Sequence, residues 1–338
     1  MRKTVAFARD RANIFFHILT QCNLKCRHCY INPGQHGRKR LSLVQIQSWL
    51  RIFIERCPDA NLVFLGGEPT LHPDLPAAVK AARTMGYASI TIDTNGYLFN
   101  DILARVTPRD VDFFSFSLDG PSADVNDAIR GDGSFANCTA GLQKAKAAGF
   151  GVSLIYTVSS RNLAFLEQMV PLLSDWGVNH FFIQVIGIRG KSAVSDRSQH
   201  PLQLTRRQWL DAVPVVAEAV AARGIQVTYP KVFLELDEEF ECAGRVADNY
   251  FIFPNGRVYR CPLCEDFPLH SLHVEGRALL DRPPINEHDL FQLNIDEGCV
   301  MNKLIQPANL AYDGQGLPRY QIACCLLKEH VAPPGGSR

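Results

Sequence analysis

Six β-favouring runs, each answered by a helical pattern, constrain this chain more than any other feature. The runs cover residues 14–19, 61–65, 88–92, 111–118, 151–158 and 180–186. Helical patterns begin at Ser42 and cover residues 74–85, 101–106, 135–148 and 162–176, with a long one at 205–223. The first is the best marked. Ser42 with Gln45 forms a capping box. Ile46, Leu50, Phe53 and Cys57 give an apolar face, and Pro58 ends it. Gly86, Gly149 and Gly177 stop three of the others. Such alternation predicts a parallel sheet with right-handed crossovers. Periodicity alone leaves an open doubly wound sheet and a partial barrel equally admissible.

Beyond residue 229 the alternation stops. Short runs at 250–253 and 258–260 flank Pro254-Asn255-Gly256, a strong hairpin signal. Cysteines and prolines rise together. The organisation expected is therefore an α/β core over 1–229, a small cysteine-rich α+β domain held by metal over 230–331, and a disordered tail over 332–338, A-P-P-G-G-S-R.

The cysteines carry the chemistry. There are 11, an odd number, unevenly grouped, with no signal peptide ahead of them. That argues against a secreted disulfide framework and for metal binding in a reducing cytoplasm. Cys57 and Cys138 fall inside helical patterns and read as small core residues. Cys22, Cys26 and Cys29 stand C-x3-C-x2-C just after the first strand, within T-Q-C-N-L-K-C-R-H-C-Y. Three thiolates on one short loop can hold three corners of an iron–sulfur cluster, leaving a fourth iron for another ligand. A zinc loop or buried free cysteines are the alternatives, but zinc generally wants a second ligand pair. A net charge of +1 gives no electrostatic case for nucleic acid or an anionic membrane surface, and no apolar run reaches the length of a bilayer span.

The cysteine spacing, with Tyr30 behind it, resembles the radical S-adenosylmethionine (SAM) superfamily. The resemblance implies a partial (β/α)6 TIM-like barrel. It also implies a [4Fe–4S] cluster whose open iron chelates SAM and drives its cleavage to a 5′-deoxyadenosyl radical. Other strand ends match in place. Gly66-Gly67-Glu68-Pro69 resembles the segment that binds the SAM amino group. Thr94-Asn95-Gly96 and Ser117-Leu118-Asp119-Gly120 resemble segments of the peptide- and protein-modifying branch. By resemblance, Ser117 and Arg130 contact the SAM carboxylate and ribose, His28 touches the adenine, and Ile186 walls it; Tyr30, Asn95 and Asp119 complete the implied cofactor set. Taken singly, these glycines and polar strand ends are ordinary turn chemistry, and Arg130 a solvated charge.

The second cysteine group begins Cys242-x13-Gly256-x4-Cys261 and continues with Cys264, Cys299, Cys324 and Cys325. It resembles the auxiliary-cluster domains called SPASM and Twitch. The C-x2-C-x5-C-x3-C run of a full SPASM domain is missing, which implies one auxiliary [4Fe–4S] cluster. The implied ligands are Cys242, Cys261, Cys299 and one of Cys324 or Cys325, with Cys264 competing and a four-cysteine zinc site as the alternative.

An auxiliary cluster can accept an electron, so an oxidative modification of a ribosomal peptide or protein is expected over an isomerisation. The alternatives are a dehydrogenase acting on a small molecule and a non-catalytic metal-binding scaffold. No general acid or base is assigned; Asp119, Tyr259, Glu265 and Asp266 read as structural. Only 21 residues precede Cys22, so a peptide substrate is expected to need a separate recognition protein or a direct docking surface, together with a reductant such as flavodoxin or ferredoxin.

Overall fold

The computed structural model describes residues 2–5, 11–195 and 202–335. Its strands, in chain order, are β1 (Arg2–Val5), β2 (Asn13–Leu19), β3 (Asn61–Gly66), β4 (Ser89–Thr94), β5 (Phe113–Ser117), β6 (Gly151–Val158), β7 (His180–Val185) and β8 (Gln226–Pro230), followed by β9 (Phe233–Leu234), β10 (Asn249–Ile252), β11 (Arg257–Tyr259), β12 (Leu272–Glu275), β13 (Ala278–Asp281), β14 (Gln321–Ile322) and β15 (Lys328–Val331). From β2 to β8 every neighbouring pair is parallel and sequential. The expected partial barrel is therefore present. It gains a seventh parallel strand, β8, which is short, ends in proline, and was not among the six read from the sequence.

The helices form as their caps dictate. The side chain of Ser42 accepts the Gln45 N–H and Gln45 returns the bond, starting the helix Leu43–Arg56. Thr205 and Gln208 do the same for Arg206–Ala221. A helix missed from the sequence, Ala123–Arg130, carries Arg130 as its last residue.

Alternate strand residues pack under these helices. Ile14, Phe16, Leu62, Phe64, Ile90, Ile92, Phe114, Phe116, Leu154 and Phe181 share one core with Trp49, Phe53, Val79, Leu142 and Val213. The opposite, concave face carries Thr91, Asp93, Ser115, Ser117, Ser153, Thr157, His180 and Gln184, as the two-residue period requires. A closed barrel fills its interior with bulky branched side chains. This one mixes such polar groups and one carboxyl with Phe15, Val63, Leu65, Phe113, Ile155 and Phe182 on the same face. Buried next to Ser115, that carboxyl, on Asp93, is pushed up to about 7, chiefly by loss of water.

The cysteine-rich segment shares the core's sheet. β10 adds to the free edge of β2 in parallel, with Ile14 beside Tyr250 and Phe16 beside Ile252, and β15 closes on β8 antiparallel. The β10–β11 hairpin forms at the expected Asn255-Gly256 turn; Gly256 needs its positive φ of 91° there. Pro334 and Gly335 form a turn, and residues 336–338 of the expected tail lie outside the described residues. No helix among the described residues is long and apolar enough to cross a membrane.

Candidate active site

The loop bearing Cys22, Cys26 and Cys29 leaves the end of β2 and is fastened from three sides. The end of β3 supports its start: the N–H of Gly67 donates to Leu19 O at 3.2 Å and that of Glu68 to Gln21 O at 2.9 Å. Its middle rests on the helix Ala123–Arg130 through Arg27 N–H to Ile129 O, 2.9 Å. Its end receives the N–H of Lys191 at Cys29 O, 2.9 Å. All three thiols are half-buried. Burial pushes Cys22 up to about 12 and raises Cys26, which Arg130 partly offsets. Cys22 and Cys26 are therefore protonated in the metal-free chain, and iron binding must displace those protons.

Glycine stands at positions 66 and 67 because of this loop. A Cβ on Gly66 would lie 2.3 Å from Leu19 O, and one on Gly67 2.2 Å from Gln21 O. The sequence reading placed these glycines against a ligand; what they approach is the backbone that presents Cys22. Glu68 is fully buried and its carboxylate is occupied. Oε1 accepts from Thr70 N at 3.0 Å, Thr70 Oγ at 2.6 Å and Thr94 Oγ at 2.9 Å; Oε2 accepts from Asn95 N at 2.7 Å. It locks the end of β4 to that of β3. Asn95 in turn donates from Nδ2 to Asn23 Oδ1 at 2.8 Å and lies 3.8 Å from Cys22 Sγ. Both residues brace the cysteine loop directly.

Beyond β5, Asp119 organises a buried charge cluster. Oδ2 meets Arg130 Nε at 2.6 Å and His28 Nε2 at 3.3 Å. Oδ1 accepts the Thr157 N–H at 2.8 Å, and Asn162 holds the Asp119 carbonyl at 3.0 Å. Arg130 is therefore a buried partner of Asp119 rather than a solvated charge. Burial lowers His28 despite the nearby carboxylate, so its ring is neutral. With Nε2 facing Asp119, Nδ1 is left as a buried acceptor without a partner. His28 and Ile186 both line one pocket of about 240 Å³, together with Ile129, Thr157, Ser159 and Leu202. The sequence reading named two of these walls. The others lie on the helix Ala123–Arg130, a loop and a strand end, with no local signal. Ser117 ends β5 on the concave face, and its carbonyl lies 3.5 Å from Cys138 Sγ.

Tyr30 is committed to the protein itself. His17 Nδ1 pairs with the Ile252 carbonyl at 3.0 Å, so it carries the proton; Nε2 then accepts the Tyr30 hydroxyl at 2.8 Å. The Arg189 guanidinium lies 4.8 Å from the Tyr30 ring centre.

The second cysteine group surrounds a cleft lined by Cys242, Cys261, Cys299, Cys324 and Cys325 within apolar walls that include Phe240, Phe291 and Met301. Cys264 is buried behind Cys261 and does not line it. Cys324 acts electrostatically on Cys242, Cys261 and Cys299, and Cys299 on Cys264. Cys325 adjoins Cys324, both act on Lys328, and Cys325 also bears on Arg189, toward the barrel. Burial pushes Cys242 up to about 11 and Cys299 well above the usual thiol range. Among the described residues no three His, Cys, Asp or Glu side chains are gathered tightly enough for a single metal ion. The donor set of soft thiols within apolar walls suits an iron–sulfur cluster.

Residues 17–173 match the family model described as the Radical SAM superfamily. The chain is 30% identical over 278 residues to the mycofactocin maturase MftC of Mycobacterium ulcerans, covering 77% of this chain and 69% of that protein. The Mycobacterium tuberculosis H37Rv protein of the same name matches at 30%, with 66% of its length covered. A pre-heme d1 synthase of Dinoroseobacter shibae is 29% identical over 223 residues, with 65% of this chain and 54% of that protein covered. Among solved structures, Streptococcus suis SuiB bound to S-adenosylmethionine has the same fold, with a TM-score of 0.59 at 15% identity over 76% of this chain and 61% of that one. The chain thus spans about two thirds or less of the length of these relatives. Its three-cysteine loop, barrel and sequence relatedness together place it in the radical SAM superfamily: it is an enzyme of radical chemistry that uses SAM and [4Fe–4S] clusters, with an auxiliary-cluster domain built onto its core.

Proposed function

We propose that this enzyme is a peptide maturase that oxidatively modifies a ribosomally made peptide or protein. The observation that carries this reading is the cysteine-ringed cleft fixed to the edge of the barrel by β10: one frame holds both a radical-generating site and an electron acceptor. The maturase relatives support a peptide as substrate. When bound, SAM on the first cluster supplies a radical that removes a hydrogen atom from a substrate carbon, and the auxiliary cluster supplies a place for the electron released.

The residues have distinct parts in this scheme. Cys22, Cys26 and Cys29 hold the first cluster. His28, through its free Nδ1, and Ile186 receive the adenine; Arg130, kept in place by Asp119, faces the SAM carboxylate or ribose together with Ser117. Gly66, Gly67, Glu68 and Asn95 shape the loop and the adjoining backbone that meets SAM. Cys242, Cys261, Cys299 and Cys324 hold the auxiliary cluster, because these four thiols interact with one another while Cys325 faces Arg189. The polar concave face between β4 and β7 takes the substrate. Residues 1–229 form the core and 230–331 the auxiliary-cluster domain, sharing one sheet. Eleven unpaired cysteines fit a reducing cytoplasm, with flavodoxin or ferredoxin as reductant and a separate protein to recognise the peptide.

The pre-heme d1 synthase relative supports the second reading, a small-molecule dehydrogenase. The deciding experiment is anaerobic. Protein reconstituted with iron and sulfide is assayed for iron, then given SAM and dithionite with candidate precursor peptides. About eight irons, 5′-deoxyadenosine, and a peptide lighter by two hydrogens or newly cross-linked are expected. Deoxyadenosine with a tetrapyrrole consumed instead would overturn the peptide reading.

A further inference from the structure

The concave wall formed by β2 to β8 carries one carboxyl, and the reaction outlined above gives it no part. Asp93 follows the two-residue period of β4 after Ser89 and Thr91. It stands one residue before the Thr94-Asn95 end that Glu68 fastens and that braces the cysteine loop. Strand pairing sets it beside Ser115 on β5, Ser115 beside Ser153 on β6, and Ser153 beside His180 on β7. A polar row therefore crosses the wall just below the first cysteine group. The Ser115 hydroxyl donates to the Asp93 carboxylate, and Asp93 keeps part of its surface accessible. It enters none of the ion pairs among the described residues.

Other groups able to take a proton nearby are already engaged. His17 donates from Nδ1 to the Ile252 carbonyl and accepts the Tyr30 hydroxyl on Nε2. His180 Nε2 meets the Thr228 hydroxyl at 2.8 Å, and His330 Nδ1 meets the same hydroxyl at 2.6 Å. Glu68 is filled by Thr70, Thr94 and Asn95, Asp119 by Arg130, and Glu265 by Arg189. Net oxidation of a substrate needs a free acceptor. Once one hydrogen atom has left for the deoxyadenosyl radical, a second bond to hydrogen, on a neighbouring atom, must break. Of the three electrons then shared by the radical carbon and that bond, one passes to the auxiliary site and two form the new π bond. The proton remains, and it goes to a carboxylate oxygen.

We propose that Asp93 is a catalytic residue of this oxidation, the acceptor of the proton that the substrate gives up as its electron leaves. This rests on the oxidative reading given above. A proton acceptor works best with a pKa near the working pH. Loss of water pushes Asp93 up to about 7, with Ser115 opposing and Glu68 adding to the rise. The titratable and charged groups facing it are Glu68 from the end of β3, Tyr30 from the cysteine loop with Arg189 over its ring, and, across Leu65, His17 from β2. The first measurement needs no cofactor. Infrared difference spectra of the unloaded chain should show a carboxyl band that fades as pH rises through about 7 and is missing in Asp93→Asn; an identical band in both overturns the proposal. The second uses the reconstituted holoenzyme with SAM, dithionite and the precursor peptide that the wild type lightens, deuterated at the reacting carbon. Asp93→Asn is expected to lower product per deoxyadenosine by about 100–10,000-fold while deuterium still reaches deoxyadenosine. Wild-type product formation should rise through about pH 7. Ser115→Ala removes a donor to the charged form and should move that rise to higher pH. An unchanged ratio in Asp93→Asn, or loss of deuterium transfer with product, overturns the proposal. Should Asp93→Asn fail to fold, Ser115→Ala decides alone, and an unmoved rise overturns it. If the wild type consumes a tetrapyrrole and no peptide, the peptide reading fails, and the same ratio measured on the tetrapyrrole decides for Asp93.

Discussion

Alanine at position 67 would drive a methyl group into the cysteine loop. The Cβ would stand 2.2 Å from Gln21 O and 2.7 Å from Thr20 O, where ordinary contact begins at 3.4 Å. The end of β3 and the loop must therefore separate by 3.4 − 2.2 = 1.2 Å. That distance breaks two bonds, Gly67 N–H to Leu19 O and Glu68 N–H to Gln21 O. Each contributes about 1 kcal/mol, and overpacking adds about 1–3 kcal/mol. A total of about 3–5 kcal/mol lies within the roughly 5–15 kcal/mol that holds a domain together, so the fold survives while the loop moves. Gln21 is bonded to Cys22, and an error of about 1 Å in a reacting group costs on the order of 100-fold in rate. Gly67→Ala is expected to keep its helical circular dichroism and the auxiliary iron. It should lose most iron at the first site and cleave SAM about 100-fold more slowly or less. A Gly67→Ala protein with full iron and undiminished deoxyadenosine formation would refute the reasoning.

Three further outcomes are expected. Asp119→Asn strips the buried Arg130 of its counter-ion, which costs about 3–5 kcal/mol; the urea midpoint should fall and SAM affinity weaken, and an unchanged midpoint would show that the Asp119–Arg130 pair at 2.6 Å contributes nothing. Cys324→Ala should lack the auxiliary cluster while Cys325→Ala keeps it; the reverse pattern in iron counts would exchange their assignments. His17 is held neutral by burial, its folded value lowered from 6.5 to about 3. Its proton is taken up on unfolding, so its contribution to stability is full above about pH 6.5 and declines as pH falls toward 3, by up to about 1.4 kcal/mol per pH unit. Wild type should lose stability across that interval relative to His17→Phe, and parallel curves for the two proteins would rule this out.

The parts of this molecule that are local in sequence were legible in it. The capping box at Ser42, the Asn255-Gly256 hairpin and the six parallel strands each depend on neighbours within a few residues. The cysteine spacing was likewise readable, because loop ligands to one cluster must lie close along the chain. What could not be read depends on contacts across long separations. Glu68 meets Thr94 and Asn95, Asp119 meets Thr157, and Glu287 meets Cys261. Each of these carboxylates looks like any surface acid until the fold supplies its donors. What Gly66 and Gly67 pack against was hidden for the same reason: their requirement for no side chain was visible, but the backbone that imposes it was not. Likewise β8 escaped notice because five residues ending in proline carry little periodicity, whereas pairing to β7 defines it at once.

The joint between the two cysteine-bearing segments explains why their relative position is a property of folding rather than of ligand binding. Adjacent residues beyond β7 reach in opposite directions. The N–H of Lys191 donates to Cys29 O, and that of Gly190 to Asp266 Oδ2 at 2.8 Å. Gly190 must be glycine, since its φ is +56° and a Cβ would lie 2.6 Å from Cys29 O. Asp266 also takes the Asn32 side chain at 2.9 Å. His36 accepts the Asn32 N–H on Nδ1 at 3.0 Å and so donates from Nε2 to Glu265 O at 3.0 Å. Its ring and that of His17 lie on the two sides of Phe253, at 3.9 and 4.1 Å. Arg189 bonds Glu265 at 2.7 Å beneath the Tyr30 ring. Most of these groups are buried, where an unmade bond costs more than a made one yields. The loop holding Cys29 and the segment Cys261-Pro-Leu-Cys-Glu-Asp266 therefore move as one body. The place of the second cysteine group relative to the first was thus set when the chain folded.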